Sequence, residues 1–149
     1  MRKLEVFTYH GKDLPVHYIE TSTVNDDVEC DVYEFVEDAS KDLGIIRIQP
    51  GGATPLQRVL KGDKTIEGYI SGQGILQVSN IEGDSKIYEF PINSQKFSEI
   101  VVNKHETMQW QSTGDTELVV YEICHPPYED GRFLDLDSFT NSTEKRPAK

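Results

Sequence analysis

The sequence predicts a single all-β domain built as a sandwich or barrel, and three observations support this fold class. Short stretches of alternating apolar and polar residues recur along the chain, and clusters rich in Gly, Pro, Asn and Asp separate them. No stretch keeps apolar residues at helical spacing for the roughly 10–12 residues that a helix needs. The length of 149 residues is that of one ordinary domain, which can bury a core without disulfide or metal support.

The alternating stretches are each predicted to be a β-strand, because residues two apart in a strand share one face of a sheet. In chain order they are Leu4–His10, Val28–Val36, Leu43–Gln49, Ile66–Ile70, Ile75–Asn80, Lys86–Phe90, Phe97–Val102, Thr107–Gln111 and Glu117–Cys124. The clusters between them supply the positive φ angles and side-chain turns that reverse a chain, and they include residues 50–52, 61–63, 71–74, 82–84 and 112–115. The best helical candidate, Glu37–Leu43, is too short.

The domain is predicted to span residues 1–136, with residues 137–149 forming a flexible C-terminal tail. From Asp135 onward the composition turns to Ser, Thr, Asn, Lys and Pro, and Ala148 is the only apolar residue after Phe139. Such a segment cannot bury enough apolar surface to offset the entropy of ordering it.

The charge balance argues against nucleic acid as a partner. The chain has 26 acidic and 15 basic side chains, a formal charge of −11, and no run rich in Lys or Arg. That charge would repel a phosphate backbone.

Residues 1–10 mix charged and apolar residues without a continuous apolar core, so we predict neither a signal peptide nor a membrane span and expect a cytoplasmic protein. Cys30 and Cys124 lie far apart and are interpreted as buried small hydrophobic residues.

Two stretches of the chain resemble the conserved motifs of cupins. The first consists of PGGATPLQRV (residues 50–59) followed by IEGYISGQGIL (residues 66–76), and its Gly, Pro and apolar positions match well. The second is EIVVNKHETMQW (residues 99–110), which has the strand, turn and strand of the second motif. The resemblance covers roughly residues 43–127. It implies a cupin-type double-stranded β-helix, that is, a jelly-roll barrel, with flanking N-terminal strands, a small-molecule pocket at the barrel mouth, and a homodimer.

The chain departs from the cupin pattern at the metal ligands. A typical cupin has two histidines in the first motif, followed by a glutamate, and a third histidine in the second motif. The corresponding positions here are Gln57, Val59, Thr65 and Met108. A divalent transition metal needs several converging imidazole or carboxylate ligands, which these residues do not supply. We therefore predict no metal and no cofactor, although a realignment that places Glu67 or Asp63 in the acidic position leaves a rearranged site open.

Strand alternation indicates which side chains accompany the former ligand positions. Gln57 shares a face with Val59, Thr65 shares one with Glu67 and Tyr69, and Met108 shares one with Trp110. This inward set is mostly apolar and aromatic, as is usual for a small-molecule site. The predicted ligand-binding residues are Arg47, Gln57, Val59, Thr65, Met108 and Trp110.

Several of these residues have two interpretations. Glu67 is the only carboxylate in the inward set, and burial would favour its neutral form and suit it to general acid or base catalysis. Alternatively, it forms a structural ion pair with an inward-facing Arg47. Arg47 itself faces either the lumen, where it would bind an anion, or the surface. Trp110 is either a stacking platform or a core aromatic residue, and His105 is either catalytic or an ordinary turn residue.

Three functions remain open from the sequence. The first is a metal-independent protein that binds a small organic ligand, sugar-like or a carboxylate, in the barrel lumen. The second is a metal-independent isomerase, epimerase or cyclase in which Glu67, Tyr69 or His105 transfers a proton. The third is a structural dimerisation domain in which Val28–Val36 extends the sheet of a neighbouring copy. The barrel fold alone does not decide between them.

Overall fold

The computed structural model describes residues 3–91, 99–128 and 133–136, and these residues form strands and turns only. In chain order the strands are β1 (Val6–Tyr9), β2 (Lys12–Asn25), β3 (Val28–Phe35), β4 (Asp38–Ile48), β5 (Leu56–Val59), β6 (Lys64–Ser71), β7 (Gly74–Ser79), β8 (Ser85–Phe90), β9 (Glu99–Asn103), β10 (Thr107–Ser112), β11 (Leu118–His125) and β12 (Phe133–Leu136). The predicted tail, residues 137–149, lies outside the described residues.

The strands form two antiparallel sheets that face each other. One sheet has seven strands in the order β1-β2-β3-β4-β11-β6-β9, and the other has five in the order β12-β5-β10-β7-β8. Strands that are adjacent in sequence repeatedly belong to different sheets, as in a jelly-roll barrel. The all-β, cupin-type fold predicted from the sequence is therefore confirmed.

The apolar residues divide into two cores, one on each face of the seven-stranded sheet. The first fills the lumen between the sheets and includes Ile46, Leu76, Trp110 and Val120. The second lies on the outer face of the seven-stranded sheet and includes Phe7, Phe35, Leu43, Tyr121 and Ile123. Strand β11 is consequently buried on both faces, with Val120 and Tyr121 contributing to opposite cores.

The sequence did not predict β2, β5 or β12. Strand β2 is 14 residues long, but its register with β3 shifts between Tyr18 and Glu20 and again between Thr23 and Asn25. Each β-bulge inserts an extra residue and reverses the inside–outside alternation, so the period-two signal is lost over the whole strand. Strands β5 and β12 have only four residues each, which is too short for alternation to stand out.

The proposed sheet extension through Val28–Val36 is wrong. Strand β3 pairs with β2 on one side and with β4 on the other, so its backbone hydrogen bonds are already used. Among the described strands, those at the sheet edges are β1, β9, β12 and β8. Only an edge strand has free N–H and C=O groups with which to pair another chain.

Side chains connect the two edge strands of the seven-stranded sheet across the second core. We call Tyr9, His10, Glu99 and Tyr121 the Glu99 cluster. Glu99 Oε1 lies 2.9 Å from His10 Nε2 and accepts a 3.5 Å hydrogen bond from the Tyr9 hydroxyl, while Oε2 accepts one from the Tyr121 hydroxyl at 2.8 Å. Burial and the Glu99 carboxylate raise the pKa of Tyr9 to about 12 and raise that of Tyr121 further, so both phenols remain protonated donors.

Gly68 makes room for the Tyr121 ring. It lies opposite Tyr121 in the β6–β11 pairing, and a Cβ atom at this position would be 2.0 Å from Tyr121 Cζ. The absence of a side chain lets the ring lie across β6 and reach Glu99. The glycine is therefore required by a close approach rather than by an unusual φ angle.

We expect Gly68→Ala to destabilise the protein by about 2–3 kcal/mol, because the added methyl group must displace a buried ring that is hydrogen-bonded at its far end. Denaturant unfolding measures this change. The control is Gly83→Ala, where φ is +89° but no atom lies within 4 Å of the added carbon, so only a backbone penalty of about 1–2 kcal/mol applies. Equal losses for the two variants would contradict the proposed role of Gly68.

Among the described residues, no helix has the length and apolar character that crossing a membrane would require.

Candidate functional site

Two carboxyl side chains meet in the barrel lumen. Glu67 on β6 and Glu122 on β11 are directly opposite each other in the antiparallel register, so their side chains project from the same face of the sheet. Glu67 is fully buried and Glu122 is 5% exposed. Acidic residues are rarely buried to this extent, so this pair marks the lumen as a candidate site.

Trp110 holds one oxygen of Glu67 in place. The indole Nε1–H donates a 2.8 Å hydrogen bond to Glu67 Oε1, and the backbone N–H of Trp110 donates to Thr54 Oγ1 at 3.0 Å. Thr54 precedes β5, while Trp110 lies on β10 in the five-stranded sheet. Because Glu67 lies on β6 in the seven-stranded sheet, the indole bond links the two sheets across the lumen.

The second oxygen of Glu67 is less well satisfied. Glu67 Oε2 is buried and has no hydrogen-bond partner among the described residues. Glu122 and Thr65 lie close enough to affect the titration of Glu67, but neither forms a bond of ordinary geometry to Oε2. Burial and the neighbouring Glu122 carboxyl raise the pKa of Glu67 well above its usual range, because both disfavour its ionised form.

The space beside the pair is small. A lumen cavity of about 10 Å³ is lined by Glu67, Glu122, Gln57, Thr54, Met108 and Trp110, together with Val24, Val28 and Ile46. This volume holds about one water molecule. A larger ligand could enter only if lining side chains moved, and Met108 and Gln57 have the flexible, unbranched chains that allow movement.

A larger cavity lies outside the lumen. It is an open groove of about 550 Å³ whose walls include His17, Ile19, Glu34 and Val36. The side chains of His17 and Glu34 are 69% and 57% exposed, so water solvates them and burial does not fix their orientation. The lumen, where polar groups are buried and held in place, is the better candidate site.

Arg47 is not in the lumen. It lies on the opposite face of the sheet, where Nη2 donates to Asp31 Oδ1 at 2.7 Å and Nη1 lies 3.2 Å from Glu29 Oε1. The predicted alternative in which Arg47 forms an ion pair with Glu67 is therefore wrong. Alternation placed Arg47 opposite Ile46 and Ile48 correctly, but it could not indicate which face pointed inward.

Two predicted catalytic residues are separated from the carboxyl pair. The hydroxyl of Tyr69 donates to the Gly72 carbonyl at 2.8 Å, and its ring stacks on Phe90 at 5.5 Å. His105 occupies the exposed turn between β9 and β10 with a φ of +76°. The structure thus brings Glu67 to the lumen cavity without Tyr69 or His105.

The remaining predicted residues lie around the lumen in different roles. Val59 is completely buried as part of the first core, and Thr65 donates to Met108 Sδ at 3.9 Å. Gln57 lines the cavity, and its Nε2 donates to Asp135 Oδ1 on β12 at 3.1 Å. Asp135 Oδ2 is buried and has no hydrogen-bond partner among the described residues.

The lumen side chains do not fit a transition-metal site of the cupin kind. The former ligand positions hold an amide, an alkyl group, a hydroxyl group and a thioether, and the thioether of Met108 already accepts from Thr65. Within residues 3–91, 99–128 and 133–136, no group of three or more His, Cys, Asp or Glu side chains is arranged to hold a metal. Two carboxyl groups without imidazole form an incomplete ligand set for these ions.

Glu122 is the functional candidate that the sequence interpretation missed, and Glu67 is therefore not the only inward carboxylate. A signal was present, because Glu122 shares the inward parity of Val120 and Cys124 in a strand that is otherwise apolar. Asp135 was missed because it was grouped with the polar tail.

Comparison with known proteins supports the fold. No protein-family model matches the chain, and no curated protein is significantly similar to it in sequence. Among solved structures, the oxalate decarboxylase of Lactobacillus farciminis is similar, with a TM-score of 0.62 and 18% identity over 81% of this chain and 33% of that one. The capsular polysaccharide assembling protein CapF of Staphylococcus aureus has a TM-score of 0.59 and 16% identity over 83% of this chain and 32% of that one.

The oxalate decarboxylase of Bacillus subtilis is also similar, with a TM-score of 0.63 and 15% identity over 77% of this chain and 29% of that one. The chain thus spans about a third of the length of each of these proteins. All three are cupin-fold proteins, and the architecture described above is that of the same class: an all-β, cupin-type barrel.

We expect Glu67→Gln to become more stable relative to the wild-type protein as pH rises. Because its native pKa is raised, Glu67 contributes most to wild-type stability below about pH 4.3, and this contribution decreases as pH rises through its native pKa. Glutamine remains neutral and can still accept from Trp110. The difference in Tm between variant and wild type should therefore increase between about pH 4.5 and pH 8.

Thermal denaturation over that pH range tests this expectation. Glu89→Gln, on the exposed side of β8, is the control, and its Tm difference should stay constant. If the Tm difference for Glu67→Gln decreased with pH, Glu67 would be stabilised as a carboxylate and the electrostatic description of the lumen would be wrong.

Proposed function

We propose that this protein is a metal-independent, cupin-like binding protein that takes part of a small organic ligand into its barrel lumen. One observation carries the proposal: Glu67 Oε2 is a buried carboxyl oxygen with no hydrogen-bond partner among the described residues, and it belongs to a residue that lines a lumen cavity. Leaving such an atom unsatisfied costs about 1–3 kcal/mol, which a ligand donor would recover.

The polar groups of the lumen favour a ligand that donates hydrogen bonds. Glu67 and Glu122 are carboxyl groups, and no residue lining the described part of the cavity is basic. A carboxylate ligand would be repelled by these groups, whereas hydroxyl groups can donate to them. Of the two ligand classes predicted from the sequence, the sugar-like one therefore fits better.

The small cavity volume means that only a single group, such as a hydroxymethyl, would penetrate between the carboxyl groups. The rest of the ligand would remain near Val24, Thr54 and Gln57, which line the cavity together with the carboxyl pair. Trp110 would report binding, because it is the only tryptophan and lines the same cavity.

A second candidate function is proton transfer by Glu67, as in a metal-independent isomerase, epimerase or cyclase. The observation in its favour is that burial and the neighbouring Glu122 raise the pKa of Glu67, which favours the protonated form that a general acid needs. Neither Tyr69 nor His105 lines the cavity, so this function would depend on the two carboxyl groups alone.

The third candidate is a structural dimerisation domain, and the observation in its favour is the small volume of the lumen cavity. A homodimer formed by sheet extension would use one of the edge strands β1, β8, β9 or β12. Sedimentation at micromolar concentration separates a dimer from a monomer.

We expect neutral polyols to change the emission of Trp110, and Gln57→Leu to weaken their binding about five- to tenfold by removing a polar group from the cavity wall. Fluorescence titration of the purified protein measures this. The matched control is Gln77→Leu on β7, where alternation places the side chain on the outer face of the five-stranded sheet. The proposal of a polyol-binding lumen is rejected if no polyol changes the Trp110 emission and native mass spectrometry shows no small molecule retained by the protein.

We also expect added manganese, iron, nickel, copper or zinc to leave the Tm unchanged, and the purified protein to carry less than one equivalent of any of them. The Bacillus subtilis oxalate decarboxylase of similar fold has Mn(II) centres, so manganese is the most informative ion. A stoichiometric metal would raise the Tm by mass action. A rise that disappears when Gln57 or Glu67 is replaced would reveal a rearranged metal site.

A further inference from the structure

The open groove of about 550 Å³ lies on β2, β3 and β4, at the end of the sheet that extends beyond the first core. Along β3 the side chains on the lumen-side face are Val28, Cys30, Val32 and Glu34. The first two are buried in the core, Val32 packs at its margin, and Glu34 is exposed in the groove. The same face of the sheet therefore changes from apolar and buried to acidic and exposed.

Two irregularities of strand pairing coincide with the groove. The register of β2 with β3 shifts between Tyr18 and Glu20, which leaves Ile19 without a partner residue on β3. The register of β4 with β3 shifts beside Phe35, which leaves residues 39–41 without partners on that strand. Ile19 and Lys41 both line the groove. A β-bulge redirects a side chain and often lies beside a functional site, so the groove has the construction of a binding surface.

The groove has an acidic middle and an exposed apolar residue at each end. Glu34 lies in the middle, where it faces His17 on β2 and Asp42 on β4. Ile19 at one end is 48% exposed, and Val36 at the other end is 62% exposed. Ile19 is level with the middle of β3, three to four residues before Val36, so the two ends are about 12 Å apart along the strand.

Acidic side chains outnumber basic ones in the groove. Lys41 Nζ lies 3.7 Å from Asp38 Oδ2, and His17 Nδ1 lies 3.2 Å from Glu34 Oε1. The acidic and basic residues of the groove are Glu20, Glu34, Asp38, Asp42, His17 and Lys41. Four carboxylates against one lysine and one histidine give a negative potential, which attracts a cationic partner.

The open shape favours a segment of a protein over a small molecule. A small organic ligand is usually enclosed over most of its surface, whereas Ile19, Glu34 and Val36 are all about half exposed or more. Strands β2, β3 and β4 each have a neighbouring strand on both sides, so side chains rather than an added strand would provide recognition. A second copy of this chain, with a charge of −11, would be repelled by an acidic groove.

We propose that this groove docks an extended segment of a partner protein with the pattern apolar-x-basic-x-apolar. In an extended chain, residues two apart project to the same side, and residues four apart are separated by about 13 Å. The two apolar side chains contact Ile19 and Val36, and the Lys or Arg between them faces Glu34. This surface is separate from the lumen, so the inference goes beyond the proposed small-ligand site and does not depend on it.

A short capped peptide, acetyl-Leu-Ser-Arg-Ser-Leu-amide, is the probe, and its arginine is its only charge. One control peptide has citrulline in place of arginine, which removes the charge at similar size. The other has the order Leu-Leu-Arg-Ser-Ser, which keeps the composition and breaks the spacing. Amide chemical shifts of the nitrogen-15-labelled full chain locate and measure binding. We expect the probe to shift amides of β2, β3 and β4 with a Kd of about 1 mM or lower, and each control to bind about three- to fivefold more weakly.

Ile19→Ser and Glu34→Gln test the apolar and the charged contact on the protein. Both side chains are about half exposed, so the substitutions should leave the fold intact. Each should weaken probe binding about three- to fivefold, and Glu34→Gln should leave the affinity of the citrulline peptide unchanged. The matched controls are Ile81→Ser and Glu82→Gln in the exposed turn between β7 and β8, which should not change the affinity.

Three results would overturn the proposal. The first is that no groove amide shifts at about 5 mM probe. The second is that the probe and both control peptides bind equally, which would show that neither the charge nor the spacing is recognised. The third is a wild-type dimer in sedimentation that Ile19→Ser converts to a monomer, which would make the groove an interface between copies. The lumen is tested separately, by the response of Trp110 to polyols.

Discussion

Burial of Glu67 beside Glu122 constrains the rest of the barrel interior. Two carboxyl groups can remain in such a place only if their charge is reduced by a retained proton or offset by a cation. The Trp110 indole donates to one oxygen, and Thr54 fixes the backbone of that tryptophan, so the packing between the two sheets is arranged around the pair. The interior between the sheets is therefore polar at this pair rather than apolar throughout.

Much of the fold could be predicted from the sequence, because short alternating segments separated by turn residues leave few architectures open. The regions that escaped prediction have physical explanations. The bulges of β2 disrupt its alternation, and the four residues of β12 adjoin a polar segment that resembles a tail. Local patterns detect regular pairing but not the irregular pairing that a curved sheet requires.

The site was only partly predictable, because alternation assigns residues to two faces without identifying the inner one. For Glu67, Met108 and Trp110 the cupin resemblance supplied that information. The resemblance did not supply that information for Arg47. Because apolar cores cover both faces of its sheet, an arginine between two isoleucines is compatible with either orientation. Glu122 lies outside both motifs, and it meets Glu67 only through the pairing of β11 with β6.

The Glu99 cluster can form only late in the synthesis of the chain. Tyr9 and His10 meet Glu99 across 90 and 89 residues of sequence, so these contacts form only after most of the chain has left the ribosome. At synthesis rates of about 5–20 residues per second, that interval lasts on the order of 5–20 s. During this time the N-terminal hairpin can pack against Phe35, but Tyr121, its later ring partner, has not yet been synthesised. Throughout this interval the Phe7 ring lacks the edge contact that Tyr121 later provides.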